Sequence, residues 1–265
     1  LTCGEETNGA FNGAKWLTEN QRGLIDAEFG LHEGGWGTMD EKGKRIALNI
    51  DAGEKLSQNY QLEVTNPGGH SMRPVKDNAI TRLAAGLQKI NAYDFPLEST
   101  DASREYFSRM APLTGGAMGA AMAAFAHNPH DEKAAAVLAT DPRYNAAMRT
   151  TCVPTLINGG HATNALPQRV TANVNCRIFP GTTIEQVRGK LLELTGDPQI
   201  KITAQAARSE PSGAPPLTDA IMKPIISMAA KLWPGVPVIP QLDIGATDAS
   251  FVTPGGIPTY AFTPM

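Results

Sequence analysis

The stretch "KRIALNIDAGEKLSQNYQLEVTNP", residues 44–67, carries two strand signals of different character. In its first part Ile46, Leu48 and Ile50 alternate with other residues at the period of a strand. From about Leu56 the pattern changes, and "YQLEVTNP" alternates like a strand with one face exposed. The chain passes here from one structural unit into another, and the flanking segments show which units these are.

Upstream, "GAFNGAKWLTENQ" reads as a helix and "LIDAEFGLHEGG" as a short strand running into a glycine turn, an α/β pattern. Downstream, "DNAITRLAAGLQKI" places Ile80, Leu83, Ala84, Leu87 and Ile90 at helical spacing. "TCVPTLING" and "RVTANVNCRIF" read as strands, "TIEQVRGKLLEL" as an amphipathic helix and "QIKITAQA" as a closing strand. The order β-α-β-β-α-β is that of a ferredoxin-like sandwich. Residues 99–149 interrupt it with an Ala-, Met- and charge-rich insertion too long for a loop, expected to be helical and to elaborate the sandwich. After the linker "RSEPSGAPP", a helix in "DAIMKPIISMAAKLW" and a strand near "VPVIPQL" restore the α/β character. The expected layout is a discontinuous α/β domain, residues 1–55 and 209–265, interrupted by an α+β domain at 56–208.

Composition excludes several functions. The 23 basic and 26 acidic residues give a formal charge of −3 with no basic run, so no electrostatic footprint for nucleic acid exists. The apolar "GGAMGAAMAAFAH", residues 115–127, falls short of the ~20 residues of a membrane span. Cys3, Cys152 and Cys176 are odd in number and widely spaced, so they are expected to be small buried residues rather than a disulfide framework or a zinc knot. The chain begins without Met and stops at "PTYAFTPM", straight after a strand signal, as expected of a fragment.

Several short motifs carry chemistry. Adjacent Glu5 and Glu6 in "LTCGEETNG" point to opposite sides of an extended backbone, so one can bind a metal while the other reaches its bound water. Taken alone, the pair reads more readily as solvated surface charge. Glu33 in "LHEGGWG" follows a strand and precedes two glycines, placing another carboxylate at a strand end; His32 beside it is equally a ligand or a bystander. His70, in the turn "NPGGHSMRP", is either a helix-capping histidine or a hydrogen-bond donor to an oxyanion. Asn164 in "GGHATNALP" and Arg177 in "NCRIFPG" lie on the same domain, and a guanidinium suits a carboxylate-bearing substrate.

"GEE", "HEGG", "PGGHSMRP", "GGHATNALP", "NCRIFPG" and "GATDASF", in this order, resemble the co-catalytic zinc hydrolase family of acetylornithine deacetylase, succinyl-diaminopimelate desuccinylase, bacterial glutamate carboxypeptidase, aminoacylase and carnosinase. The resemblance spans nearly the whole chain apart from the insertion. It implies a zinc-peptidase-like α/β catalytic domain, incomplete here, with the sandwich as lid and dimerisation domain. It also implies two zinc ions, a small peptide or N-acyl amino acid substrate, and a homodimer formed through the lid. Glu5 matches the general base, Glu6 and Glu33 match metal ligands, and His70 matches a histidine that reaches the partner subunit's catalytic centre. Asn164 and Arg177 match substrate contacts, and Thr247 of "GATDAS" a weaker one; Asp248 is expected to cap the following helix. The family's His-x-Asp motif and bridging aspartate, which precede "GEE", and its last histidine are absent from the sequence. The competing reading is therefore a non-catalytic dimerisation or binding module without a complete metal site. A glycosidase using Glu5 and Glu33 is disfavoured because three Trp and five Tyr form no obvious sugar-stacking array.

Overall fold

A computed structural model describes residues 11–207, 209 and 211–263. The chain enters through α1 (Gly13–Asn20) and forms β1 (Gly30–His32), β2 (Gly37–Met39) and β3 (Arg45–Glu54). A single residue, Lys55, separates β3 from β4 (Leu56–Thr65), which leads through the short β5 (Gly69–His70) to α2 (Ala79–Asn91). The insertion folds as α3 (Asp101–Thr114), α4 (Gly116–His127), α5 (Glu132–Leu138) and α6 (Pro142–Ala147). It is followed by β6 (Thr151–Gly159), β7 (Ala165–Leu166), β8 (Arg169–Ile178), α7 (Ile184–Thr195) and β9 (Lys201–Ala204). The chain then returns through α8 (Asp219–Leu232), β10 (Val238–Asp243), α9 (Ala249–Val252) and β11 (Thr259–Ala261).

The sandwich matches the β-α-β-β-α-β expectation. Its antiparallel sheet has the order β6-β8-β4-β9, the 4-1-3-2 arrangement of the ferredoxin-like fold read from the other edge. Tyr60, Leu62 and Val64 of β4 and Val170, Val174 and Ile178 of β8 point to one face, where Leu83 and Ile90 of α2 and Val187 and Leu191 of α7 cover them. Both helices begin on the side chains that stop their amides from being orphaned: Asn78 accepts from Ile80 and Thr81, and Thr183 forms a capping box with Gln186.

The second sheet has the order β1-β11-β3-β10, with β2 also paired to β3. β3 runs parallel to β10 and antiparallel to β11 and β2. All of 47–52 is buried, because both faces of β3 are covered. Leu48, Ile50 and Ala52 pack under α8, whereas Ala47 and Ile239 pack under the insertion. The sequence shows only the first of these stripes as an alternation; small Ala47 and polar Asn49 and Asp51 hide the second.

Two expectations need correction. The insertion is helical, but α3 to α5 build their core with Ala47 of β3 and Ile239 of β10, and Arg109 donates from Nη1 to the Val238 carbonyl at 2.9 Å. In packing it belongs to the α/β unit, since α2 and α7 already occupy the helical face of the sandwich. Cys152 and Cys176 are not independent buried thiols: they form a disulfide between directly paired positions of β6 and β8. Their separation of 24 residues in sequence concealed that pairing. Among the described residues no helix is long and apolar enough to cross a membrane.

Truncating Ile239, fully buried between β10 and the insertion, to Ala is expected to cost ~2–5 kcal/mol in denaturant unfolding. Leu24→Ala, at an exposed position outside the sheets, should stay within about 0.5 kcal/mol. Equal effects would show that the insertion does not pack there.

Candidate functional site

The glycine turn after β1 is set by close backbone approach. Gly35 adopts φ +63°, and a Cβ there would lie 2.5 Å from the Ala261 carbonyl oxygen and 2.6 Å from that of Asn49. Its amide donates to Asp51 Oδ2 at 2.8 Å. Glu33, just before the turn, is exposed at the end of β1. His32 is half-buried with Nδ1 unpaired, and burial lowers its pKa against the opposing pull of Glu33.

Beside this turn lies a group of charges that the sequence reading passed over: Asp51, Glu54 and Lys55 on β3 and its junction, and Asp243 at the end of β10. Asp51 is buried and accepts from Gln241 Nε2 at 2.6 Å; burial raises its pKa to about 6, opposed by that bond and reinforced by the charge of Asp243. Glu54 accepts from the Thr247 amide at 2.9 Å and hydroxyl at 2.7 Å, yet burial still raises its pKa to about 8. Lys55 is fully buried and donates from Nζ to the carbonyls of Ala146 at 2.9 Å and Arg149 at 2.8 Å and to Thr151 Oγ1 at 3.1 Å. Burial, reinforced by the charge of Arg177, lowers its pKa to about 7. The signal for this group was present in "ALNIDAGEK", where charged residues interrupt a strand too apolar to be a surface strand.

The "GATDAS" turn is therefore tied to β3. Thr247 spends its hydroxyl on Glu54 and accepts from the Ala249 amide at 3.1 Å. Asp248 takes the N-cap position of α9 as expected, but its side chain makes no capping bond: it accepts from Asn12 Nδ2 at 2.8 Å, and the Thr247 hydroxyl oxygen serves the first helical amide.

On the sandwich, β5 pairs with β7, setting His70 opposite Ala165. The Met72 amide donates to His70 Nδ1 at 3.2 Å, so the neutral ring carries its proton on Nε2. That nitrogen lies 3.2 Å from Asn164 Nδ2. His70 and Asn164 are thus brought together, both exposed. Arg177 is elsewhere: on β8 it pairs with Ser57 and Thr151, two residues past the junction at Lys55. Its guanidinium has no hydrogen-bond or ion-pair partner among the described residues. At ~3.3 Å per residue, Arg177 lies roughly 25 Å along the sheet from the β5–β7 ribbon.

Glu5 and Glu6 lie outside the described residues. Among the described residues no three His, Cys, Asp or Glu side chains converge to hold a metal ion. Glu33 therefore stands as a single donor, and the described part does not by itself fit a zinc pair.

Residues 52–203 match the M20 peptidase dimerisation domain. Over 91% of its length the chain is 28% identical to a carboxypeptidase S-like 2 protein of Dictyostelium discoideum, covering 46% of that protein. It is 26% identical to a human N-fatty-acyl-amino acid synthase/hydrolase, with 100% of this chain aligned to 54% of the other. The chain spans about half the length of these curated relatives. In fold it is similar to an M20 family metallo-carboxypeptidase from Sulfolobus solfataricus, with a TM-score of 0.64 and 21% identity over 97% of this chain and 60% of that one. A tripeptidase from Staphylococcus aureus gives 0.56 and 16% identity, covering 94% of this chain and 51% of its own.

Between pH 4.5 and about 8 folded Glu54 holds a proton that the unfolded chain has released, so its contribution to stability falls as pH rises. Glu54→Gln removes that slope. Urea melts should show the variant gaining on the parent by about 2 kcal/mol or more from pH 5 to pH 8; a constant difference would contradict the burial of an ionisable Glu54.

Proposed function

The chain belongs to the M20 peptidase family, and from that premise we propose that its parent protein is a metal-dependent hydrolase of amide bonds in peptides or N-acyl amino acids. The names of its relatives, a carboxypeptidase-like protein and an N-acyl-amino acid hydrolase, support an amide next to a free carboxylate. In this reading Glu5 takes the proton of the attacking water and returns it to the leaving amine. Arg177 pairs with the substrate carboxylate, His70 beside Asn164 donates from Nε2 to the oxyanion, and Thr247, its amide and hydroxyl held by Glu54, adds only a weaker contact through its methyl group. Glu6 and Glu33 would contribute to a pair of zinc ions, whose Lewis acidity would lower the pKa of the water. The remaining ligands must come from residues other than those described.

The observation that carries the proposal is the separation of Arg177, beside the domain junction and without a partner among the described residues, from the His70–Asn164 pair on the β5–β7 ribbon beyond the other end of β4. One small substrate cannot touch both in one protomer. A two-fold partner supplies the missing half if the sandwich domains pair. Edge strand β6, with Val153, Leu156 and Ile157 exposed by 56%, 63% and 59%, is the natural surface for that pairing. The alternative, a dimerisation module without turnover, draws on the lack of a convergent ligand set among the described residues.

Mixing decides between these readings. In the full-length protein, His70→Ala and Arg177→Met should each abolish most turnover. Dimers mixed from the two should regain up to about half of wild-type activity per heterodimer, because one of the two sites is again complete. Mixtures as inactive as the parents would reject action across the dimer. Glu5→Gln should lower kcat by at least ~100-fold with metal content unchanged; a metal-free, inactive wild-type dimer would favour the non-catalytic reading.

A further inference from the structure

A cavity of about 440 Å³ opens between the insertion and the α/β sheet, outside the residues given roles above. Tyr106 of α3 and Tyr144 of α6 form one side, with ring centroids 6.4 Å apart, and the exposed Trp36 borders it from the glycine turn. Its floor is polar and consists of Asn49, Gln241 and Asp243.

Two acceptors of the floor stand without donors. Asn49 is only 8% exposed; its Nδ2 donates to Thr38 Oγ1 at 3.1 Å, but its Oδ1 is buried without a partner. A buried carboxamide oxygen is seldom left unpaired in a native structure, so this one calls for an N–H or O–H. Asp243 uses Oδ1 to accept from the Gly245 amide at 2.8 Å and has no partner for Oδ2 among the described residues. Gln241 gives one amide proton to Asp51 Oδ1 at 2.6 Å, so a second carboxylate stands directly behind the floor. At the mouth, Arg143 lies over the Tyr144 ring and is matched by Asp141 at 2.9 Å, which leaves the acidic floor uncompensated.

We propose that this cavity binds a primary ammonium carried on an apolar or aromatic group. The ammonium supplies the donors that Asn49 Oδ1 and Asp243 Oδ2 lack, and aromatic faces attract a cation as well as the apolar body it carries. A carboxylate ligand meets like charge on the floor, and a hydrocarbon leaves Asn49 Oδ1 unpaired. The cavity has the size of an ordinary small-ligand pocket. The inference stands whether or not the parent protein hydrolyses amides.

Phenethylamine is the probe, titrated calorimetrically into the purified protein at neutral pH, with 3-phenylpropionate as its anionic counterpart. Phenethylamine should bind saturably and the anion should not. Asp243→Asn should weaken phenethylamine at least tenfold, and Trp36→Ala, at an exposed position whose loss spares the core, should weaken it several-fold. No binding of phenethylamine by the folded protein, equal binding of the anion, or unchanged affinity in Trp36→Ala together with any folded Asp243→Asn would overturn the proposal.

Discussion

The two larger sheets among the described residues are joined through Glu54 and Lys55, and their relative placement rests on what those adjacent side chains reach. An extended backbone sends neighbouring side chains to opposite sides. Glu54 turns to the α/β unit and holds both polar groups of Thr247. Lys55 turns the other way and gathers the last carbonyls of the insertion and the first residue of β6, while its own amide donates to the Asp243 carbonyl at 3.0 Å. Burial of both ionisable groups is costly, raising the carboxylate pKa and lowering that of the ammonium. The hydrogen bonds offset that cost only in one arrangement of the two units.

That arrangement has a functional consequence. Because β4 starts immediately after the junction, the near end of the sandwich sheet is fixed beside the α/β unit and its far end projects away. Arg177 falls at the near end, and His70 with Asn164 on the β5–β7 ribbon that follows the far end of β4. On the proposed function, a lid built this way would present half of a binding site to its own α/β unit and the other half to a neighbour. The match of residues 52–203 to a peptidase dimerisation domain agrees with that proposal.

Much of this architecture was legible in residues 44–67 and the segments around them. The sandwich was readable because its sheet is covered on one face only, so Tyr60, Leu62 and Val64 alternate cleanly with polar neighbours. The packing of the insertion was not, since it depends on Ala47 and Ile239 accepting helices on a second face that short residues disguise. His70 and Asn164 were found as turn residues in motifs, but their pairing arises from a two-residue ribbon that periodicity cannot show. Glu54 and Lys55 escaped notice because a charge at a strand end usually means solvent. Only the structure shows that this strand end is interior. Glu5 and Glu6 lie outside the described residues, so their roles rest on resemblance alone.

The orientation set by Glu54 and Lys55 is tested most directly by the distance distribution between spin labels at Gln88 on α2 and Met228 on α8, both exposed. A single narrow distribution is expected in the parent protein. In Lys55→Met, which leaves the Ala146 and Arg149 carbonyls and Thr151 without their donor, the distribution should broaden or shift while each unit stays folded. An unchanged, equally narrow distribution would show that something other than this junction fixes the two sheets.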